Sequence, residues 1–183
     1  MDWITRIDDP ANLTQGSIVD GIDWGQEDNP VSIVLSNACD IEHEHTSYLL
    51  VAALYPAGDL LFNSREFQGT TEGKDYSQLT SNQKKAVNKL LSNYIHHKTI
   101  NRYYFIDCRD CELGMLMMVD FHQVKSISIE KRSELTMIAN LNSPLKEQMI
   151  MQYVSHAARI PTDRVTPDEE QSIISELLSE LNQ

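Results

Sequence analysis

The sequence predicts an α+β protein, with strands in its first third and again over residues 102–130, an inserted helix at about 80–97, and two helices after residue 143. Three observations predict it. Short β-branched runs bounded by turn residues fill the strand regions. Apolar residues at helical spacing are confined to the other segments. The length of 183 residues suits one core-forming domain with an appendage. The expected division is a β domain over 1–142, interrupted by the helix, and a helical appendage over 143–183.

Taken in order, "SIVDGI" (17–22) and "VSIVLS" (31–36) read as strands, with "DWGQEDNP" as the loop between them. "SYLLVAALY" (47–55) is apolar enough to be a strand buried on both faces. The following "PAGDLLFNSREFQGTTEGKDY" is polar and carries Gly58, Gly69 and Gly73, so an irregular surface excursion is expected. Thr80 or Ser81 can then cap a helix whose stripe is Ala86, Val87, Leu90, Leu91, Tyr94 and Ile95. "RYYFID" (102–107), "GMLMMVDF" (114–121) and "VKSISIE" (124–130) return to strand, which puts "CRDC" in a hairpin turn. Ser143–Pro144 reads as an N-cap followed by proline at the first helical position, ahead of an apolar face of Leu145, Met149, Tyr153, Val154 and Ala157. "TPDE" (166–169) is a capping box opening a last helix with five acids and no base, striped by Ile173, Ile174, Leu177, Leu178 and Leu181.

Lys and Arg total 15 against 27 Asp and Glu, a net charge of −12, which argues against broad nucleic-acid binding. The charge is uneven. Residues 1–60 hold eleven acids and one base, Arg6, whereas Tyr76 to Ile106 has no acid and contains Lys84, Lys85, Lys89, Lys98 and Arg102. Lys84, Lys85 and Lys89 are read as a solvated helix face, and alternatively as contacts for a phosphate or an acidic partner. No run approaches the length of a membrane span. The start lacks a secretory pattern, so a cytoplasmic location is expected.

Three cysteines do not form a disulfide framework. Cys108 and Cys111 form C-x2-C, a spacing that lets two thiolates hold one tetrahedral ion, and Cys39 is followed by His43 and His45. One cysteine, one histidine and the pair would complete a Cys3His zinc site stapling two parts of a β structure. The competing readings are an ordinary turn with small buried thiols, or an open metal site with Glu42 or Glu44 as base. On an extended segment, Asp40, Glu42 and Glu44 would face one way and His43 and His45 the other. His96 and His97 close the basic helix, and His122 and His156 are read as structural. No phosphate-binding glycine loop, dinucleotide fingerprint, nucleophile elbow or H-E-x-x-H is present.

Gly16 to Val19, Pro30 to Ser36 and Leu49 to Pro56 resemble the opening of the MazF/PemK family of toxin barrels, with its G-[DS]-I-V strand and "P-x-[LIV]-V-L-S" strand. The resemblance implies a small, strongly bent SH3-like β-barrel, and in the family it implies ribosome-independent mRNA cleavage. The family usually carries an arginine just before the second strand, where this sequence has Asn29. The segment around Cys39–Asp40 is similar to a loosely defined set of bacterial proteins with a "[ST]-x-x-C-[DE]-[IL]" run, and favours a prokaryotic origin.

The expected function is a non-enzymatic regulatory or protein-interaction module of a toxin- or defence-type system, stapled by zinc, that binds another protein through its C-terminal helices. The alternatives are a diverged MazF-like endoribonuclease and a metal-dependent hydrolase built on Cys39, His43, His45 and the nearby acids.

Overall fold

Alternating apolar residues on seven short segments produce one antiparallel sheet in the computed structural model, which describes residues 2–6, 12–43, 45–98 and 102–158. The strands are β1 (Ile4–Arg6), β2 (Ser17–Asp20), β3 (Val31–Val34), β4 (Tyr48–Pro56), β5 (Tyr103–Cys108), β6 (Met115–Ser128) and β7 (Thr136–Leu141), in the order β1-β7-β2-β3-β4-β6-β5. The α+β class agrees with expectation.

The pleat divides β4 between two cores, because successive side chains point to opposite faces. Ala52 and Leu54 join Ile18, Ile33, Tyr104 and Val119 on one face. Leu49 and Val51 join Val19, Val34, Ile127 and Met137 on the other. β4 is therefore buried on both sides, as its composition predicts. The sheet curls toward the first face. Ile4 of the edge strand β1 and Ile106 and Cys108 of the opposite edge strand β5 share that core. Trp3 meets Phe105 edge-on at 5.7 Å, and Arg6 Nε–H donates to the Asp110 carbonyl at 2.7 Å. These contacts bring the two edges of the sheet toward each other.

Five α-helices, α1 (Ala38–Glu42), α2 (Ala57–Phe62), α3 (Arg65–Thr71), α4 (Ser81–Ile95) and α5 (Leu145–Ala157), accompany the sheet among the described residues, with short 3-10 turns at Tyr76–Gln78 and Ile129–Glu134. Thr80 caps α4 in a reciprocal capping box with Gln83, satisfying two otherwise unpaired backbone donors. Val87 and Tyr94 of α4 are buried, while Ile95 is 43% exposed. α5 packs Leu145 and Met149 into the first core, and the Tyr104 hydroxyl donates to the Leu145 carbonyl at 2.8 Å.

Several local expectations are corrected. Residues 57–71 form two short helices instead of an irregular excursion. Ser64 caps α3 by accepting from Phe67 N–H at 3.2 Å, and Gly58 sits inside α2, where an added Cβ would come within 3.2 Å of the Phe62 ring. The glycine there marks a close approach, not a bend. Residues 38–42 are helical instead of extended, because the Asn37 side chain accepts from Cys39 N–H at 3.0 Å and Ile41 is drawn into the second core. The two strands expected over 114–130 are one long β6 with a bulge: Ala52 pairs with Val124 while the next residue, Ala53, pairs with Asp120. Strands β1 and β7 were not foreseen; β7 joins β1 to β2. Pro144 occupies the N-cap of α5 instead of its first helical position, with the Ser143 hydroxyl donating to Glu147 Oε1 at 2.7 Å. The expected helix opening at "TPDE" lies outside the described residues.

Candidate functional site

The residues expected to bind metal fall in two separate places. Cys39 is exposed on α1, and His43 and His45 follow it, also exposed, with ring centroids 5.6 Å apart. Ile41 anchors this segment to the second core. Cys108 and Cys111 lie in the first core, on the other face of the sheet and at its β5 edge. Between β3, which leads into α1, and β5 stand both β4 and β6. The structure thus brings Cys108 and Cys111 together, and His43 and His45 together, but does not bring the two pairs together. Among the described residues no group of three or more His, Cys, Asp or Glu side chains could hold a metal ion. Asp40 and Glu42 are exposed, and Glu44 lies outside the described residues.

The C-x2-C pair does sit in the β5–β6 turn, as its sequence position implies. Cys111 N–H and its thiol both point to the Cys108 carbonyl, each at 3.3 Å. Burial, reinforced by Cys111 beside it, pushes the Cys108 thiol well above its ordinary value. Cys108 is therefore a protonated packing group in this arrangement, poorly suited to nucleophilic or redox work. Arg109 closes the turn with a paired contact to Asp107, at 2.9 and 2.6 Å, and this holds the Asp107 carboxyl below its ordinary range. Asn29, at the place of the family arginine, accepts from Trp24 N–H at 2.7 Å and so caps the β2–β3 loop.

A second set of residues converges at the end of α4. Lys84 lies over the Tyr76 ring at 5.4 Å, while Lys85 and Lys89 are exposed. Lys85, Lys89, Ser92 and His96 recur at helical spacing, so they form one row along α4, opposite the buried Val87 and Tyr94. The helix then stops in a Schellman turn: Lys98 N–H donates to the Asn93 carbonyl at 3.0 Å and His97 N–H to the Tyr94 carbonyl at 3.1 Å. That turn places His97 at φ +48°, a conformation usually taken by glycine. Stacking compensates, since the His97 ring lies parallel on Tyr104 at 3.9 Å with Trp3 edge-on at 6.2 Å. Burial, with the neighbouring His96 charge adding to it, lowers the His97 pKa to about 4, so its ring is neutral near pH 7.

Beside this turn runs a groove of about 310 Å³ lined by His96, His97, Gln148, Met151, Gln152 and Ser155. Its second wall is α5. Gln148, Met151, Gln152 and Ser155 share one side of that helix at spacings of three and four. Gln152 is buried and donates to the Tyr103 carbonyl at 2.8 Å, which fixes the wall to the sheet. Met151 is 70% exposed and Val154 56% exposed, one helical turn apart on the outward side. Val154 was expected on the packed face and instead faces solvent, because Gln152 takes an inward position.

Sequence reasoning missed one strongly polar feature. Asp120, 1% exposed, accepts a two-pronged contact from Arg102, and His122 N–H donates to the same carboxylate at 3.0 Å. The pairing raises the Arg102 pKa. The only sequence trace of it is the break in strand alternation at "DFHQV", where the bulge of β6 falls. Arg102 is thereby committed to a structural ion pair. Compared with family models and with curated proteins, the chain matches none.

Proposed function

We propose that this protein is a non-enzymatic interaction module that receives another protein on the outward side of α5. One observation carries the reading: Met151 and Val154 are solvent-facing apolar side chains on a helix whose opposite side is anchored by Leu145, Met149 and Gln152. Adjacent exposed apolar residues beside a groove mark interaction sites more than isolated ones do. Methionine is suited to such a surface because its side chain adapts to a partner's shape.

Support for a role in a prokaryotic toxin- or defence-type system comes from the N-terminal resemblance. The zinc staple expected from Cys39, His43 or His45, Cys108 and Cys111 is not part of the proposal, since the two pairs stand apart.

The test is a photo-crosslinking amino acid placed at Met151, with the same group at exposed Tyr48 as control, in cells of the source organism. The reading expects one defined protein captured at 151 and not at 48. Once purified, that protein should bind the wild-type chain and lose binding to a Val154→Glu variant that remains folded. Equal capture at both positions, or unchanged binding by the variant, would refute it.

A further inference from the structure

The chemistry of the partner follows from what lies beside the apolar face. We infer that the groove between α4 and α5 accepts an acidic amphipathic helix, with its apolar side on Met151 and Val154 and its carboxylates along the Lys85–Lys89–His96 row. This inference rests on the interaction reading and gives it a partner class.

Charge and shape both point that way. The chain carries −12 overall, yet Tyr76 to Ile106 contains no acid at all. Lys85, Lys89 and Lys98 are exposed there, and Lys84 and Arg102 are already engaged by Tyr76 and Asp120. α4 itself bears bases and no acid, and the nearest acids, Glu66 and Glu72 beside Tyr94 and Gln83, are engaged by Tyr94 and Lys74, so an acidic ligand is steered to the Lys85–Lys89 row. His96 belongs both to the basic row and to the groove lining, which makes the charged strip and the groove continuous. Glu147, one turn before Met151 on α5, is kept ionised by the Ser143 hydroxyl that donates to it, so the carboxylates of the ligand lie toward α4 and away from Glu147. The groove walls offer the exposed Gln148 amide and the Ser155 hydroxyl, groups that pair with a polar helix flank, while Gln152 is held by the sheet. Helix-in-groove recognition uses this combination of an apolar stripe and flanking charge.

A single-stranded nucleic acid is the rival ligand for a lysine row. It is disfavoured because stacking platforms accompany such binding, whereas Ile95, Met151 and Val154 on the groove side are aliphatic or thioether and the exposed aromatic beside α4, Tyr76, is already covered by Lys84.

The full chain, labelled at its methionine methyl groups, would be titrated with four probes. These are a designed helix with a leucine stripe and glutamate elsewhere, the same helix with lysine for glutamate, a glutamate helix lacking the leucines, and a short single-stranded RNA. The expected result is a shift of the Met151 methyl signal with the leucine–glutamate helix only. Binding should weaken with added salt, and by about tenfold or more in a Lys85→Glu/Lys89→Glu variant. Equal binding of the lysine helix at Met151 would overturn the acidic assignment and leave the interaction reading standing. RNA binding lost in the double variant would overturn it in favour of a nucleic-acid surface. No movement of the Met151 signal with any helix would overturn the inference, while crosslinking at 151 tests the interaction reading separately.

Discussion

The two sides of α5 show the same residue types put to opposite uses. Met149 and Met151 are two positions apart and chemically identical, yet Met149 is fully buried in the first core and Met151 is 70% exposed. Leu145, Met149 and Gln152 tie the helix to the sheet, and Met151 and Val154 face solvent beside the groove. The inner side is explained by folding. Among the described residues the outer side stays largely solvent-facing, and its apolar character is what the proposed partner would cover.

That contrast breaks most visibly if the two methionines are truncated in turn. Met149→Ala should cost about 2–5 kcal/mol of stability, the range for a buried large-to-small change. Met151→Ala should stay within about 0.5 kcal/mol, as exposed positions do. Urea denaturation of the two variants measures both, and comparable losses would erase the distinction.

The inner side extends to the Cys108–Cys111 turn, which is part of the same core. Cys108→Ser should cost about 1–3 kcal/mol by burying a hydroxyl where a thiol packed. The packing account expects the same loss with and without a chelator, read from thermal melts. A loss that disappears in chelator would instead show that the pair holds a metal.

His97 sits where the inner and outer sides meet, and it sharpens the comparison through pH. Its folded pKa of about 4 lies below the ordinary value of 6.5, so the unfolded chain binds the proton more readily. Its contribution is fully present above about pH 6.5, is lost as pH falls, and is gone below about pH 4. A stability profile across that window should flatten between 6.5 and 4 in His97→Asn, which keeps a residue tolerant of positive φ. An unchanged slope would mean that other groups carry it.

The smallest effect belongs to the basic row. Lys85→Glu and Lys89→Glu should each change stability by no more than about 0.5 kcal/mol, since both side chains are solvent-facing. A larger loss would assign the row to folding and remove it from recognition.

Much of this was legible in the sequence, and the parts that were not share a cause. β2 to β5 and α4 declare themselves through β-branched runs, turn residues and a cap at Thr80 or Ser81, while the single β6 reads as two strands because its bulge breaks the pattern. The turn position of Cys108 and Cys111 follows from the strands on either side. α1 was hidden because a five-residue helix carries no periodicity, and its Asn37 cap resembles loop chemistry. α2 and α3 were hidden by Gly58 and Gly69, which read as breakers until Phe62 is seen against Gly58. The separation of Cys39 from the C-x2-C pair was beyond the sequence, because it depends on which face of the curled sheet each segment reaches. The exposure of Val154 was hidden for a similar reason. A polar residue, Gln152, takes an inward position that an apolarity pattern assigns to its neighbour.

The most direct test of the account is the affinity of the protein captured at Met151 for the wild-type chain, for Val154→Glu and for Met149→Leu. The account predicts that Val154→Glu loses binding while its stability is preserved, and that Met149→Leu keeps binding with a small change in stability. Full binding by Val154→Glu would contradict the claim that the outward side of α5 is a docking surface.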